Sequence, residues 1–95
     1  MSGNITAPET SEHVTIFYAD WCPFCQRLIS DLNRTETPHA LVDAEAEGTE
    51  DINAWIESVN DGNRIVPTVL YSDGTHATNP AASEVRAKYA ELAGE

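Results

Sequence analysis

The sequence predicts a single α/β domain with the element order β-α-β-α-β-β-α: a four-stranded mixed sheet flanked by three helices. Three observations predict it. The chain has 95 residues, a length that fits one domain and excludes two ordinary ones. Short runs of β-branched and aromatic residues alternate with stretches whose apolar residues recur at helical spacing. The first two strand runs are separated by a crossover long enough to hold a helix, which makes those strands parallel. Residues 1–12 are polar, carry Pro8 and read as a flexible lead-in to a domain over 13–95.

Val14-Thr15-Ile16-Phe17-Tyr18 is the first strand, expected to be mostly buried. Asp20-Trp21-Cys22 follows, and Pro23 opens a helix, because its missing N–H would be unpaired at that position anyway. Phe24, Cys25, Leu28, Ile29 and Leu32 then share one face. His39-Ala40-Leu41-Val42-Asp43 is a second strand, and Thr49-Glu50-Asp51 opens a second helix with acids in its first turn, as the helix dipole favours. Its stripe is Ile52, Trp55, Ile56 and Val59, and Asn60-Asp61-Gly62-Asn63 ends it. Ile65 to Tyr71 is a third strand with Pro67 near its start, where a cis bond is a candidate. Ser72-Asp73-Gly74-Thr75 turns into a short fourth strand, His76-Ala77-Thr78. Asn79-Pro80 is expected to cap a last helix whose stripe is Ala82, Val85, Tyr89 and Leu92.

Charge narrows the partners. Sixteen acids against five bases give a formal net charge of -11. Such a chain repels phosphate backbones and anionic membrane surfaces, so neither nucleic acid nor membrane is an expected partner. The N-terminus lacks the basic start and apolar stretch of a signal peptide, so a cytoplasmic location is expected.

The two cysteines, Cys22 and Cys25, stand where a strand gives way to a helix. The nucleophile of thiol–disulfide exchange is the thiolate, and unpaired N–H groups at a helix start stabilise it. Cys22 is expected to be the exposed nucleophile. Cys25, one turn later on the apolar face, is expected to be less exposed and less acidic, and placed to resolve a mixed disulfide. Half of a zinc site is the first alternative, but His13, His39 and His76 are scattered without ligand spacing, so no metal is expected. Two inert core cysteines are the second alternative, which the helix-start placement disfavours.

Trp21-Cys22-Pro23-Phe24-Cys25, Ile65-Val66-Pro67-Thr68 and Asp73-Gly74-Thr75-His76-Ala77-Thr78-Asn79-Pro80 together resemble the glutaredoxin branch of the thioredoxin fold. Within it, the run from Ser58 to Val69 and the ending Asn79-Pro80 are most similar to the mycoredoxins, glutaredoxin-like enzymes that use mycothiol. The resemblance implies a mycothiol-dependent thiol–disulfide oxidoreductase that acts as a monomer, with Cys22 as nucleophile and Cys25 dispensable on a monothiol route. It implies that Pro67 is a cis-proline facing the active site, and that the Val66 backbone pairs with the cysteinyl part of the thiol. Thr78 and Asn79 would meet the thiol's far end, while Trp21, Pro23 and Phe24 shape the groove. Mycothiol would be a cosubstrate, with no tightly bound cofactor. The partners would be S-mycothiolated proteins and, indirectly, an NADPH-dependent mycothiol disulfide reductase; an arsenate–mycothiol adduct is a further expected substrate.

The chain also departs from ordinary glutaredoxins. Asp20 stands where a lysine is usual, Ile65 where a threonine is usual, and Thr78-Asn79 where an acidic pair is usual. These departures point away from glutathione, an anion with two carboxylates, and toward mycothiol, which has none. Two rivals remain: a dithiol electron donor to ribonucleotide reductase recharged by thioredoxin reductase, and a dimeric iron–sulfur carrier, which Pro23 disfavours. Among the lesser candidates, Trp55 reads as core, His76 as a solvent-facing strand residue, Arg27 as a solvated helix residue, and Arg64 as either solvated or aimed at an anionic substrate.

Overall fold

The structure, a computed structural model, describes Pro8, Thr10 and residues 12–94. The expected lead-in therefore lies mostly outside the described residues. The elements are β1 (Val14–Tyr18), α1 (Pro23–Arg34), β2 (Ala40–Asp43), α2 (Glu50–Val59), β3 (Thr68–Tyr71), β4 (His76–Thr78) and α3 (Ala82–Ala93). They follow the predicted order. The sheet runs β2-β1-β3-β4, with β1 parallel to β2 and antiparallel to β3, and β3 antiparallel to β4.

β1 is an interior strand, which explains its continuous apolar run: both faces are covered. Alternation sends Val14 and Ile16 one way and Phe17 the other. Val14 and Ile16 pack with Val69 and Tyr71 of β3, Leu28 and Leu32 of α1, and Val85 of α3. Phe17 packs with Leu70, with Ala44 after β2, and with Trp55 and Ile56 of α2. Helices α1 and α3 thus cover one face and α2 the other. The Phe17 and Trp55 rings meet at 5.6 Å, and Trp55 is core as its stripe predicts. The expected stripes of α2 and α3 are also observed, with Ile52 and Val59 packed against one cluster and Ala82, Tyr89 and Leu92 against the other.

Three boundaries differ from expectation. β2 begins at Ala40, one residue after His39. β3 begins at Thr68 rather than Ile65, because Pro67 has no N–H to donate and pairing starts after it. α3 begins at Ala82, with extended Ala81 as its cap residue and no side-chain capping bond. Asn79-Pro80 therefore does not cap it. Asn79 instead takes a left-handed φ of 48° and donates its N–H to the Pro67 carbonyl at 2.8 Å.

The turn between β3 and β4 is shaped by Asp73, whose carboxylate accepts the N–H and hydroxyl of Thr75 at 3.0 and 2.6 Å, and by Gly74 at φ 90°. Lys88 of α3 reaches the same carboxylate at 2.8 Å. The bonds from Lys88 and Thr75 hold the Asp73 carboxyl well below the usual carboxylate range, and Asp73 in turn raises Lys88.

Candidate active site

The C-terminal end of β1 delivers the chain to the helix that carries the cysteines. Buried Ala19 follows the strand, and its carbonyl accepts the Cys22 N–H at 3.2 Å. Cys22 is the N-cap of α1, and Pro23 is the first helical residue. The cap bond is made by sulfur: the Cys25 N–H donates to Cys22 Sγ at 3.1 Å. A helix-start N–H aimed at sulfur is the arrangement that stabilises negative charge there. Cys22 Sγ also lies 3.6 Å from the Val66 carbonyl, to which its thiol proton donates. Both cysteines are free thiols.

Cys22 is not the exposed residue the sequence suggests. It is 2% exposed and Cys25 0%. The N-cap geometry turns the Cys22 side chain back over the helix start, where it packs with Ala19, Cys25, Tyr18 and Val66. Cys25 behaves as expected of the inner residue: burial, then its hydrogen bonding with Cys22, pushes its thiol up to about 12. Exposure belongs to the flanking aromatics instead, with Trp21 at 66% and Phe24 at 60%. Phe24 is thus exposed although periodicity placed it on the apolar face, while Cys25 beside it is buried.

The Val66–Pro67 peptide is cis, as its sequence position suggests. The loop before β3 sits directly against Cys22, and the bond from Asn79 to the Pro67 carbonyl joins the end of β4 to it. The structure so gathers Cys22, Cys25, Val66, Pro67 and Asn79 at one end of the sheet. Phe24, Arg27, Asp31, Asn79 and Pro80 line a cleft of about 350 Å³ beside them, between α1 and the start of α3. Thr78 is placed differently from its neighbour: its hydroxyl donates to the Asn60 side-chain oxygen. Asp20 is exposed, and its carbonyl accepts the Gln26 side-chain amide at 3.3 Å.

Other candidates lie elsewhere. Arg64 stands 3.7 Å from Glu45, on the wall of an acidic cleft with Glu50 and Glu57. His13 shares a hydrogen bond with Ser72 at 2.8 Å, and His39 meets the Thr37 carbonyl at 2.7 Å. His76 lies on the exposed side of β4, edge-on to Trp55. Among the described residues, no three His, Cys, Asp or Glu side chains gather as a metal would require, and no helix is long and apolar enough to cross a membrane. One residue was missed. Asn60, read only as a helix terminator, is 8% exposed and bonds through its side chain to Thr68, the residue after Pro67, and to Thr78. A polar residue in a helix-ending cluster carries no periodic signal of burial, so the pattern could not reveal it.

No family model matches the chain. Over 81 residues, however, it is 54% identical to Mycoredoxin 1 of Corynebacterium glutamicum, covering 85% of this chain and 98% of that protein. The chain belongs to the mycoredoxin family. It is a glutaredoxin-like oxidoreductase with two cysteines close together, Cys22 and Cys25. Solved glutaredoxins share the fold at low identity. Wheat glutaredoxin superposes with a TM-score of 0.67 at 20% identity, over 85% of this chain and 81% of that one. The glutaredoxin of Archaeoglobus fulgidus gives 0.64 at 20%, over 80% and 84%. The fold of this mycoredoxin-family chain is therefore one it shares with glutaredoxins.

Proposed function

We propose that the chain reduces mixed disulfides between proteins and mycothiol by a monothiol route through Cys22. One observation carries the reading: Cys22 Sγ accepts a helix-start N–H at 3.1 Å while facing the Val66 carbonyl. In the first step the Cys22 thiolate attacks the mycothiol sulfur. The protein–mycothiol S–S bond breaks, its electron pair leaves on the protein's sulfur, which takes a proton, and Cys22 keeps mycothiol as a mixed disulfide. In the second step the thiolate of another mycothiol attacks the mycothiol sulfur of that disulfide. Mycothiol disulfide leaves and the Cys22 thiolate returns. A mycothiol disulfide reductase then spends NADPH to regenerate the cosubstrate. Attack on the sulfur of an arsenate–mycothiol adduct follows the same course, the electron pair of the As–S bond leaving with arsenic as arsenite.

Charge supports mycothiol over glutathione. The chain carries -11, and exposed Asp20 stands beside Cys22. A thiol with two carboxylates meets repulsion there that a thiol without carboxylates escapes. Cys25 supports the monothiol route: a buried thiol pushed up to about 12 supplies little thiolate for resolving a mixed disulfide at neutral pH. The groove is assigned to Trp21, Pro23, Phe24, Val66, Pro67, Thr78 and Asn79, with Thr78 acting through its bond to Asn60. The protein works as a monomer in the cytoplasm, without a tightly bound cofactor.

The test is turnover of a mycothiol mixed disulfide by Cys22→Ser and Cys25→Ser. Loss in the first and retention in the second is expected. Loss in both, with activity recovered from thioredoxin reductase by the unsubstituted chain alone, would instead favour the dithiol donor.

A further inference from the structure

The Asn60 side chain ties three elements together behind the active site. Its Nδ2 donates to the Ile56 carbonyl of α2 at 2.8 Å and to Thr68 Oγ1 of β3 at 3.3 Å. Its Oδ1 accepts the hydroxyl of Thr78, the last residue of β4. Thr68, itself fully buried, passes the connection on: its hydroxyl donates to the Ile65 carbonyl at 2.7 Å. Residues 65 and 68 are thus bonded to each other across Val66 and Pro67. Asn79, next to Thr78, closes the other side through its bond to the Pro67 carbonyl at 2.8 Å. The segment so bracketed carries the Val66 carbonyl that faces Cys22 Sγ.

We infer that Asn60 is a positioning residue that sets the Val66–Pro67 segment against Cys22, with Thr78 as its partner rather than as a direct contact to the thiol. The chemistry fits a carboxamide and nothing smaller. Only a side chain with both N–H donors and a carbonyl acceptor can donate to Ile56 and Thr68 while accepting from Thr78. Aspartate would lose both donations, and alanine would lose every bond and leave the Thr68 and Thr78 hydroxyls without this partner. The inference rests on the reading that the Val66 backbone meets the incoming thiol.

Thr78 is exposed at the surface, so Thr78→Val removes the hydroxyl without opening the core and keeps the test interpretable if Asn60→Ala folds poorly. The measurement is steady-state reduction of a mixed disulfide at varied thiol, beside thermal melting. Loss of one such hydrogen bond is expected to raise the KM for the thiol about fivefold in Thr78→Val, with kcat within about twofold. Thr78→Ser, which keeps the hydroxyl, is expected to restore the KM. The double variant Asn60→Ala/Thr78→Val is expected to match Asn60→Ala alone, because the bond that Thr78→Val removes is already lost in Asn60→Ala. Unchanged KM in Thr78→Val overturns the inference, and so does a double variant whose effect is the product of the single ones, since Thr78 would then touch the thiol itself. Running the unsubstituted chain with mycothiol and with glutathione separates the two claims: equal use of both removes the mycothiol reading and leaves the Asn60 result standing.

Discussion

The backbone N–H of Cys25 donates to the sulfur of Cys22 at 3.1 Å, so one cysteine caps the helix that carries the other. One bond therefore serves two ends. It satisfies a helix-start N–H that would otherwise lack an intrahelical acceptor, and it places a dipole against the sulfur where charge develops in disulfide exchange. Cys22 is buried there among Ala19, Cys25, Tyr18 and Val66.

Cys25 is expected to resist alkylation in the native protein. A thiol pushed up to about 12 is ionised only to the order of one part in 10⁴ at pH 8, and the thiolate is the reacting form. Mass spectrometry after brief iodoacetamide treatment is expected to find Cys22 modified and Cys25 free. Equal modification of both would contradict the raised thiol assigned to Cys25.

The same group makes stability depend on alkaline pH. The folded state holds Cys25 as a neutral thiol, raised from 9.0 to about 12, whereas the unfolded chain ionises it near 9. Between those values the unfolded state binds fewer protons, so stability present below pH 9 falls as pH rises toward 12. The buried Tyr71 phenol, raised by burial and nearby Glu84, adds to the fall in the same direction. Melting temperatures from pH 8 to 11 are expected to drop less steeply in Cys25→Ala than in the unsubstituted chain.

Asp73 is expected to matter for the fold and not for turnover. It is bonded to Lys88 and Thr75 far along the chain from the cysteines. Its carboxyl is depressed in the folded state, so the stabilisation is present above the usual carboxylate range and is lost as acid protonates the folded form. Asp73→Asn is expected to lower the melting temperature slightly at pH 7, to approach the unsubstituted chain as pH falls through the acid range, and to leave kcat unchanged.

Leu32 is fully buried between α1 and the sheet. Leu32→Ala is expected to cost about 2–5 kcal/mol of stability through the lost transfer and the residual cavity. Trp21, by contrast, is 66% exposed. Trp21→Ala is expected to change stability by less than about 0.5 kcal/mol while raising the KM for a mixed-disulfide substrate. Denaturant titration and steady-state kinetics on the same two variants check the contrast.

What was legible in the sequence depended on what each residue contributes to pattern. Val14 to Tyr18 and the Ile52, Trp55, Ile56, Val59 stripe announce their elements because burial imposes periodicity. Cys22-Pro23 announces the helix start because proline favours that position. The burial of Cys22 is not legible, since it depends on packing with Ala19, Tyr18 and the distant Val66, which meet only in the assembled fold. The start of α3 is likewise not where composition puts it: Asn79-Pro80 has the composition of a cap, yet Asn79 takes a left-handed φ of 48° and the helix opens after extended Ala81. Asn60 and Thr78 lie eighteen residues apart, and their pairing exists only once α2, β3 and β4 are assembled.

The most direct test of the account is a coupled assay with mycothiol, its disulfide reductase and NADPH on a mycothiol mixed disulfide, run beside the same assay with glutathione and glutathione reductase on the glutathione mixed disulfide, and repeated with Asp20→Lys. The account predicts turnover with mycothiol well above that with glutathione, and a gain in the glutathione rate when Asp20 becomes lysine. Equal turnover with the two thiols, unmoved by the charge reversal, would contradict it.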